Sequence, residues 1–197
     1  MNIDFVTKLP ASEAGYDAVA TIIDSLMKRA RWIPVKEAEL TAEKFAMAFI
    51  DGYVRSRGLP VLIVSDRDTR CTYSFWQSLC SQLKIKLRMS TAYHPQSDGQ
   101  AEKANATLET FLKAYISQLK SPKHWSQSLP LAEFTYNAAK HKAIGMSPFE
   151  VDIGYILRLP LGLLAPGSRT PNLKPGTEYA EQLDKILRML RVQMEEA

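Results

Sequence analysis

Three acidic residues sit where the local pattern gives them no ordinary task. Asp4 interrupts the apolar, β-rich run Ile3-Asp4-Phe5-Val6, and strands are depleted in aspartate. Asp66 falls just past the continuous apolar run from Val61 to Val64, at the end of a strand where α/β sheets present ligand-binding groups. Glu102 opens a long amphipathic segment directly after a turn-rich stretch. Taken singly, each also has an ordinary reading. Asp4 can face solvent from an edge strand, Asp66 can form the turn Ser65-Asp66-Arg67-Asp68, and Glu102 can favour the positive end of a helix. Together they suggest a site. Two neighbouring strands and a helix start can bring three carboxylates to one cluster, and hard oxygen donors suit Mg2+ or Mn2+. Two such ions about 3.5–4 Å apart activate an attacking oxygen and stabilise the leaving one in an in-line phosphoryl displacement. No nucleophilic side chain is then required. His94, His124 and His141 are scattered, without zinc-like or triad-like pairing, and His94 in the turn-rich stretch is a candidate substrate contact.

Periodicity supplies the elements that must hold these acids. Residues 3–6, 18–23 and 31–35 read as three short strands with connections suited to antiparallel neighbours. From Thr41, a good N-cap, apolar residues recur at Phe45, Ala48, Phe49 and Tyr53, predicting a helix that Gly58 and Pro60 end. Val61 to Val64 is the run expected of a strand buried on both faces. A helix is expected over 72–83, a half-buried strand over 85–89 and a mobile loop over 90–99. A long helix follows, apolar at Ala101, Ala104, Leu108, Phe111, Leu112, Tyr115, Ile116 and Leu119, and another is predicted over 125–139. The sum is an α/β fold: a mixed five-stranded sheet, three strands antiparallel and then two parallel, flanked by helices. The core is expected to span 1–156. A Pro/Gly-rich linker then covers 157–177, and an amphipathic, partner-facing helix covers 178–197 with Leu183, Ile186, Leu187, Leu190 and Met194 on one face.

Composition is that of a globular protein, 46% hydrophobic and 23% charged, so wholesale disorder is excluded. No apolar stretch approaches a membrane span and no signal pattern opens the chain, so a soluble intracellular protein without membrane partners is expected. The net charge of +4 is unevenly spread, with 11 Lys/Arg against 5 Asp/Glu between Arg67 and Lys142. A basic middle third suits a phosphate backbone, though solvated surface charge gives the same pattern. Cys71 and Cys80 fit neither a zinc knuckle nor a disulfide framework and read as reduced thiols.

The spacing of the acids carries a resemblance. Between Asp66 and Glu102 lie 35 residues, similar to the D,D(35)E arrangement of retroviral and retrotransposon integrases. The words around the acids are more specific. Ile3-Asp4-Phe5-Val6-Thr7-Lys8-Leu9-Pro10, Val64-Ser65-Asp66-Arg67-Asp68-Thr69-Arg70 with Phe75-Trp76, and Ser90-Thr91-Ala92-Tyr93-His94-Pro95-Gln96-Ser97-Asp98-Gly99-Gln100-Ala101-Glu102 each resemble a block of that family. So do Leu129-Pro130-Leu131-Ala132-Glu133-Phe134-Thr135-Tyr136-Asn137 and Gly145-Met146-Ser147-Pro148-Phe149. Together they resemble the integrase core of gypsy-type LTR retrotransposons over about residues 1–161.

That resemblance implies a ribonuclease-H-like fold in which Asp4, Asp66 and Glu102 bind two Mg2+ or Mn2+ ions and form the catalytic triad. It implies a polynucleotidyl transferase and endonuclease that trims element DNA ends with water, then joins the new 3′-hydroxyl to target DNA. Tyr93, His94 and Gln96 would approach the DNA end. Glu102, Ala106, Glu109 and Lys113 lie at helical spacing opposite the apolar stripe, so Lys113 and neighbouring Lys103 would follow a DNA strand. DNA, with RNA as a second nucleic acid, a homo-oligomeric state and work in the nucleus are implied with it. Departures are Cys71, where the family has an aromatic, Lys8 in the opening block, where the family has a basic residue preceded by Gly, and Lys103, where arginine is common and would form a bidentate fork. The zinc-binding and DNA-binding modules that usually flank this core are not among the 197 residues, so a fragment, a decayed copy or a domesticated core is expected. A non-catalytic relic serving as a nucleic-acid-binding or interaction module is the alternative, and a ribonuclease H of the same fold is a weaker one.

Overall fold

The computed structural model describes residues 1–65, 80, 81, 84–89, 95–119, 122–155 and 157, with side chains omitted at 42, 88, 89, 95–100, 115 and 117–119. Five strands form one sheet: β1 (Asn2–Val6), β2 (Ala18–Ile23), β3 (Ala30–Val35), β4 (Leu62–Ser65) and β5 (Lys86–Met89). Their spatial order is β3-β2-β1-β4-β5. β1 and β2 pair antiparallel, as do β2 and β3, while β4 runs parallel to both β1 and β5. The predicted mixed topology is therefore present, and β1 lies in the middle of the sheet. An edge-strand role for Asp4 is ruled out: β1 is hydrogen-bonded on both sides. Among the described residues no helix is long and apolar enough to cross a membrane.

Alternation along the strands builds a core on each face of the sheet. Val6, Val19, Ile23 and Trp32 pack against the long helix α2 (Pro95–Leu119) through Ala104, Leu108, Phe111 and Leu112, and against α3 (Trp125–Ala138) through Trp125, Leu129, Ala132 and Tyr136. Ile3, Ala20, Ile22, Ile33, Val35 and Ile63 pack on the other face against Phe45 and Phe49 of α1 (Ala42–Phe49), with Cys80 buried as a thiol in the same cluster. Every residue of β2 is buried, as a central strand covered on both sides requires. β4 is less enclosed than its apolar run predicts: Ile63 is buried, while Leu62, Val64 and Ser65 are half-buried.

Thr41 caps α1 as expected, its hydroxyl accepting from Lys44 N at 3.2 Å. Beyond Phe49 the helix widens into a π-helical turn (Ile50–Val54) and ends at Gly58, whose φ of 75° only glycine adopts easily. Gly52 in that turn lets the backbone lie close on β3, because a Cβ there would stand 2.5 Å from Ile33 Cδ1.

Two boundaries differ from the sequence reading. α2 begins at Pro95, inside the stretch predicted as loop. Proline is tolerated in a first helical turn, where its missing N–H has no partner to lose. Glu102 therefore lies two turns into the helix, and a first-turn interaction with the macrodipole does not explain it. A short helix α4 (Pro148–Ile153) follows α3 and was not expected. Its signal is present in Ser147-Pro148-Phe149-Glu150: Ser147 and Glu150 form a reciprocal capping box, with Ser147 N donating to Glu150 Oε2 at 2.8 Å. Asp152 on α4 pairs with both Arg29 and Arg57, and Asn137 on α3 bonds both backbone groups of Ala30. These contacts fasten α3 and α4 to the start of β3. The predicted helix over 72–83 is described only at 80 and 81. The linker and the C-terminal helix lie outside the described residues, apart from residue 157.

Candidate active site

Asp4 is at the centre of β1, half-buried, on the face covered by α2. Both of its carboxylate oxygens accept hydrogen bonds: Oδ1 from the Phe5 backbone N–H at 2.8 Å, and Oδ2 from Asn105 Nδ2 at 2.7 Å. The side chain thus points toward the helix that carries Glu102. The second contact is charge-assisted and joins residues 101 positions apart, so it locks the strand to the helix as well as orienting the acid.

Asn105 went unnoticed in the sequence, although a signal was there. Ala101, Ala104, Leu108, Phe111 and Leu112 form the buried stripe of α2, and Asn105 is the polar residue set among them. A buried amide in an apolar stripe requires partners. Glu102 is exposed one turn before it, on the solvent face with Ala106, Glu109 and Lys113, as the helical spacing predicts. Structure therefore brings Asp4 to the helix bearing Glu102. Asp66, Tyr93 and His94 lie outside the described residues, and Gln96 is described only as backbone in the first turn of α2. Among the described residues no three of His, Cys, Asp and Glu come together to hold a metal ion. Asp66, the third acid of the expected set, is not one of them.

Of the expected DNA contacts, Lys103 and Lys113 are both exposed, and Lys113 Nζ lies 3.5 Å from Glu109 Oε2. His141, in the turn after α3, is held below its ordinary pKa by burial first, then by the charges of Lys103 and Lys28. Away from this surface Arg31 pairs with Glu133 at 2.9 Å, and burial raises the Glu133 carboxyl despite that partner. Glu133 also accepts from Trp32 N, so it ties α3 to β3.

No family model matches the chain. Over 151 residues, 77% of its length, it is 33% identical to the transposon Tf2-3 polyprotein of Schizosaccharomyces pombe. Its fold is similar to the catalytic core domain of BIV integrase, with a TM-score of 0.58 and 20% identity over 78% of this chain and 92% of that one. The chain belongs to the integrase cores of the retrotransposon type. This integrase core spans 11% of the length of the polyprotein it matches. It is similar too to the integrase catalytic core of HTLV-2 solved with magnesium in a trimeric form, with a TM-score of 0.59 and 16% identity over 76% of this chain and 93% of that one. The ribonuclease-H-like sheet expected for an integrase core is thus the sheet observed.

Proposed function

We propose that the chain is the catalytic core of a retrotransposon integrase that cuts and joins DNA with divalent cations, using Asp4, Asp66 and Glu102. The observation that carries this reading is the 2.7 Å bond from Asn105 to Asp4. It ties the strand acid to the helix in which Glu102 stands three residues earlier, on an adjacent surface position. Connectivity supports the third member. Ser65 at the end of β4 is registered on Ile3, and Asp66 follows Ser65 by one peptide unit of about 3.8 Å.

The donor set fits a hard cation. Carboxylate oxygens suit Mg2+ or Mn2+, and the magnesium of the HTLV-2 core supports the same ion class here. When bound, such ions stabilise charge on the phosphate oxygens of an in-line displacement. Asp4, Asp66 and Glu102 would hold them. Asp4 is oriented for that role by the Phe5 N–H on one oxygen and the Asn105 amide on the other. Lys103 and Lys113 would pair with phosphates and set the duplex in place without reading sequence. Tyr93, His94 and Gln96 would meet the DNA end. In the first step water opens a phosphodiester and leaves a 3′-hydroxyl. In the second that hydroxyl forms a new O–P bond in target DNA while the bond to the departing strand breaks. DNA is then the principal partner, a homo-oligomer the working state, and the nucleus the place of action.

The test is direct. Incubated with Mn2+ and short DNA duplexes, the protein should nick or join them, and Asp4→Asn, Asp66→Asn and Glu102→Gln should each reduce the product to background. Undiminished activity in Asp66→Asn would overturn the assignment of the acids.

A further inference from the structure

We propose that the hydroxyl of Thr21 is a positioning group for Asp4, acting through the side-chain amide of Asn105. The inference rests on the reading of Asp4 as a catalytic carboxylate and goes one residue deeper into the same site. Thr21 is the cross-strand partner of Asp4 in the antiparallel β1–β2 pair. Directly opposed residues share a face of the sheet, with Cβ atoms about 4.5–5.5 Å apart. That face is the one covered by α2, since Val19 and Ile23, the alternating neighbours of Thr21, pack on Ala104 and Leu108. Thr21 and Asn105 therefore both border Asp4 in the layer between sheet and helix.

Thr21 is 0% exposed and Asn105 9% exposed. Two buried polar atoms here have no partner: Thr21 Oγ1 and Asn105 Oδ1. They are complementary, because a hydroxyl donates and an amide oxygen accepts. Asp4, as a carboxylate, only accepts, so Asn105 must turn its NH2 to Asp4 and its oxygen away. A flipped amide would trade the Asp4 bond for repulsion between two acceptors. A donor on that oxygen removes the alternative. Thr21 is the buried hydroxyl on the same face, and its proposed link to the amide oxygen runs through one bridging water. The chain of bonds runs from Thr21 to Asn105 to Asp4. It fixes the carboxylate without touching substrate.

The experiment compares the full chain with Thr21→Val, which keeps the shape and removes the hydroxyl, and Thr21→Ser, which keeps the hydroxyl. The side-chain amide signals of Asn105 in 15N-labelled protein are identified by their loss in Asn105→Ala. They should be sharp and slow to exchange in wild type and Thr21→Ser, and shifted or broadened in Thr21→Val. In the same proteins the Mn2+ concentration for half-maximal DNA nicking should rise several-fold in Thr21→Val and return in Thr21→Ser. Unchanged amide signals in Thr21→Val overturn the link. Changed signals with an unchanged Mn2+ requirement overturn the positioning role. Absence of Mn2+-dependent nicking in wild type would defeat the integrase reading itself, and the amide signals alone would then decide whether Thr21 holds Asn105.

Discussion

Asp4 accepts from the Phe5 N–H on one carboxylate oxygen and from the Asn105 amide on the other, and these donors differ in kind. The Phe5 N–H is local and survives any change in helix packing. The Asn105 amide exists only because α2 lies over β1. Replacing Asn105 by alanine removes that donor together with an amide oxygen that has no direct protein partner. The two effects on stability oppose each other, so the folding free energy should change by less than about 1–2 kcal/mol. DNA nicking should fall much more steeply, because the carboxylate is no longer held. Urea unfolding beside a nicking assay checks this split, and a large loss of stability would make Asn105 a structural residue instead.

At the scale of elements, close approach of helix and sheet governs what the α1 region can tolerate. Ile33 on β3 fills the space that a side chain at residue 52 would need. Gly52→Ala should therefore destabilise the protein by about 1–3 kcal/mol, the range for overpacking. Ile33→Val, which removes the clashing Cδ1, should restore part of that loss in the double variant. Additive costs in thermal unfolding would show that the two positions are not coupled. Helix ends were the least legible feature at this scale. The Pro95 start was hidden because Pro, Ser, Asp and Gly between 95 and 99 are turn formers as well as first-turn residues. The Ser147–Glu150 capping box was legible in principle, yet a six-residue helix has too few apolar repeats to announce itself.

For the whole molecule the charge distribution makes the remaining prediction. Lys103 and Lys113 lie on α2, while Lys28 and His141 lie in turns, and the charges of Lys103 and Lys28 both act on His141. If Lys103 neutralises a phosphate, Lys103→Gln should weaken DNA binding without altering sequence preference. The slope of log K against log salt should fall by about one. An unchanged slope in a fluorescence-anisotropy titration would remove Lys103 from the DNA-contacting surface. Both faces of the sheet were readable beforehand, because period-two strands and period-3.6 helices leave different marks on one chain.

The sequence by itself determined the strand order, the mixed sheet, the long helices α2 and α3 and the family, since each rests on local periodicity or on words of adjacent residues. It also placed Glu102 and Lys113 on the solvent face of their helix, a consequence of helical spacing alone. Tertiary structure decided what surrounds Asp4. That β1 is central, that Asn105 reaches Asp4 across 101 residues and that Thr21 stands opposite it are facts of packing and register. No local pattern encodes them, because hydrogen-bond partners far apart in the chain are chosen only when the sheet and the helix above it close on one another.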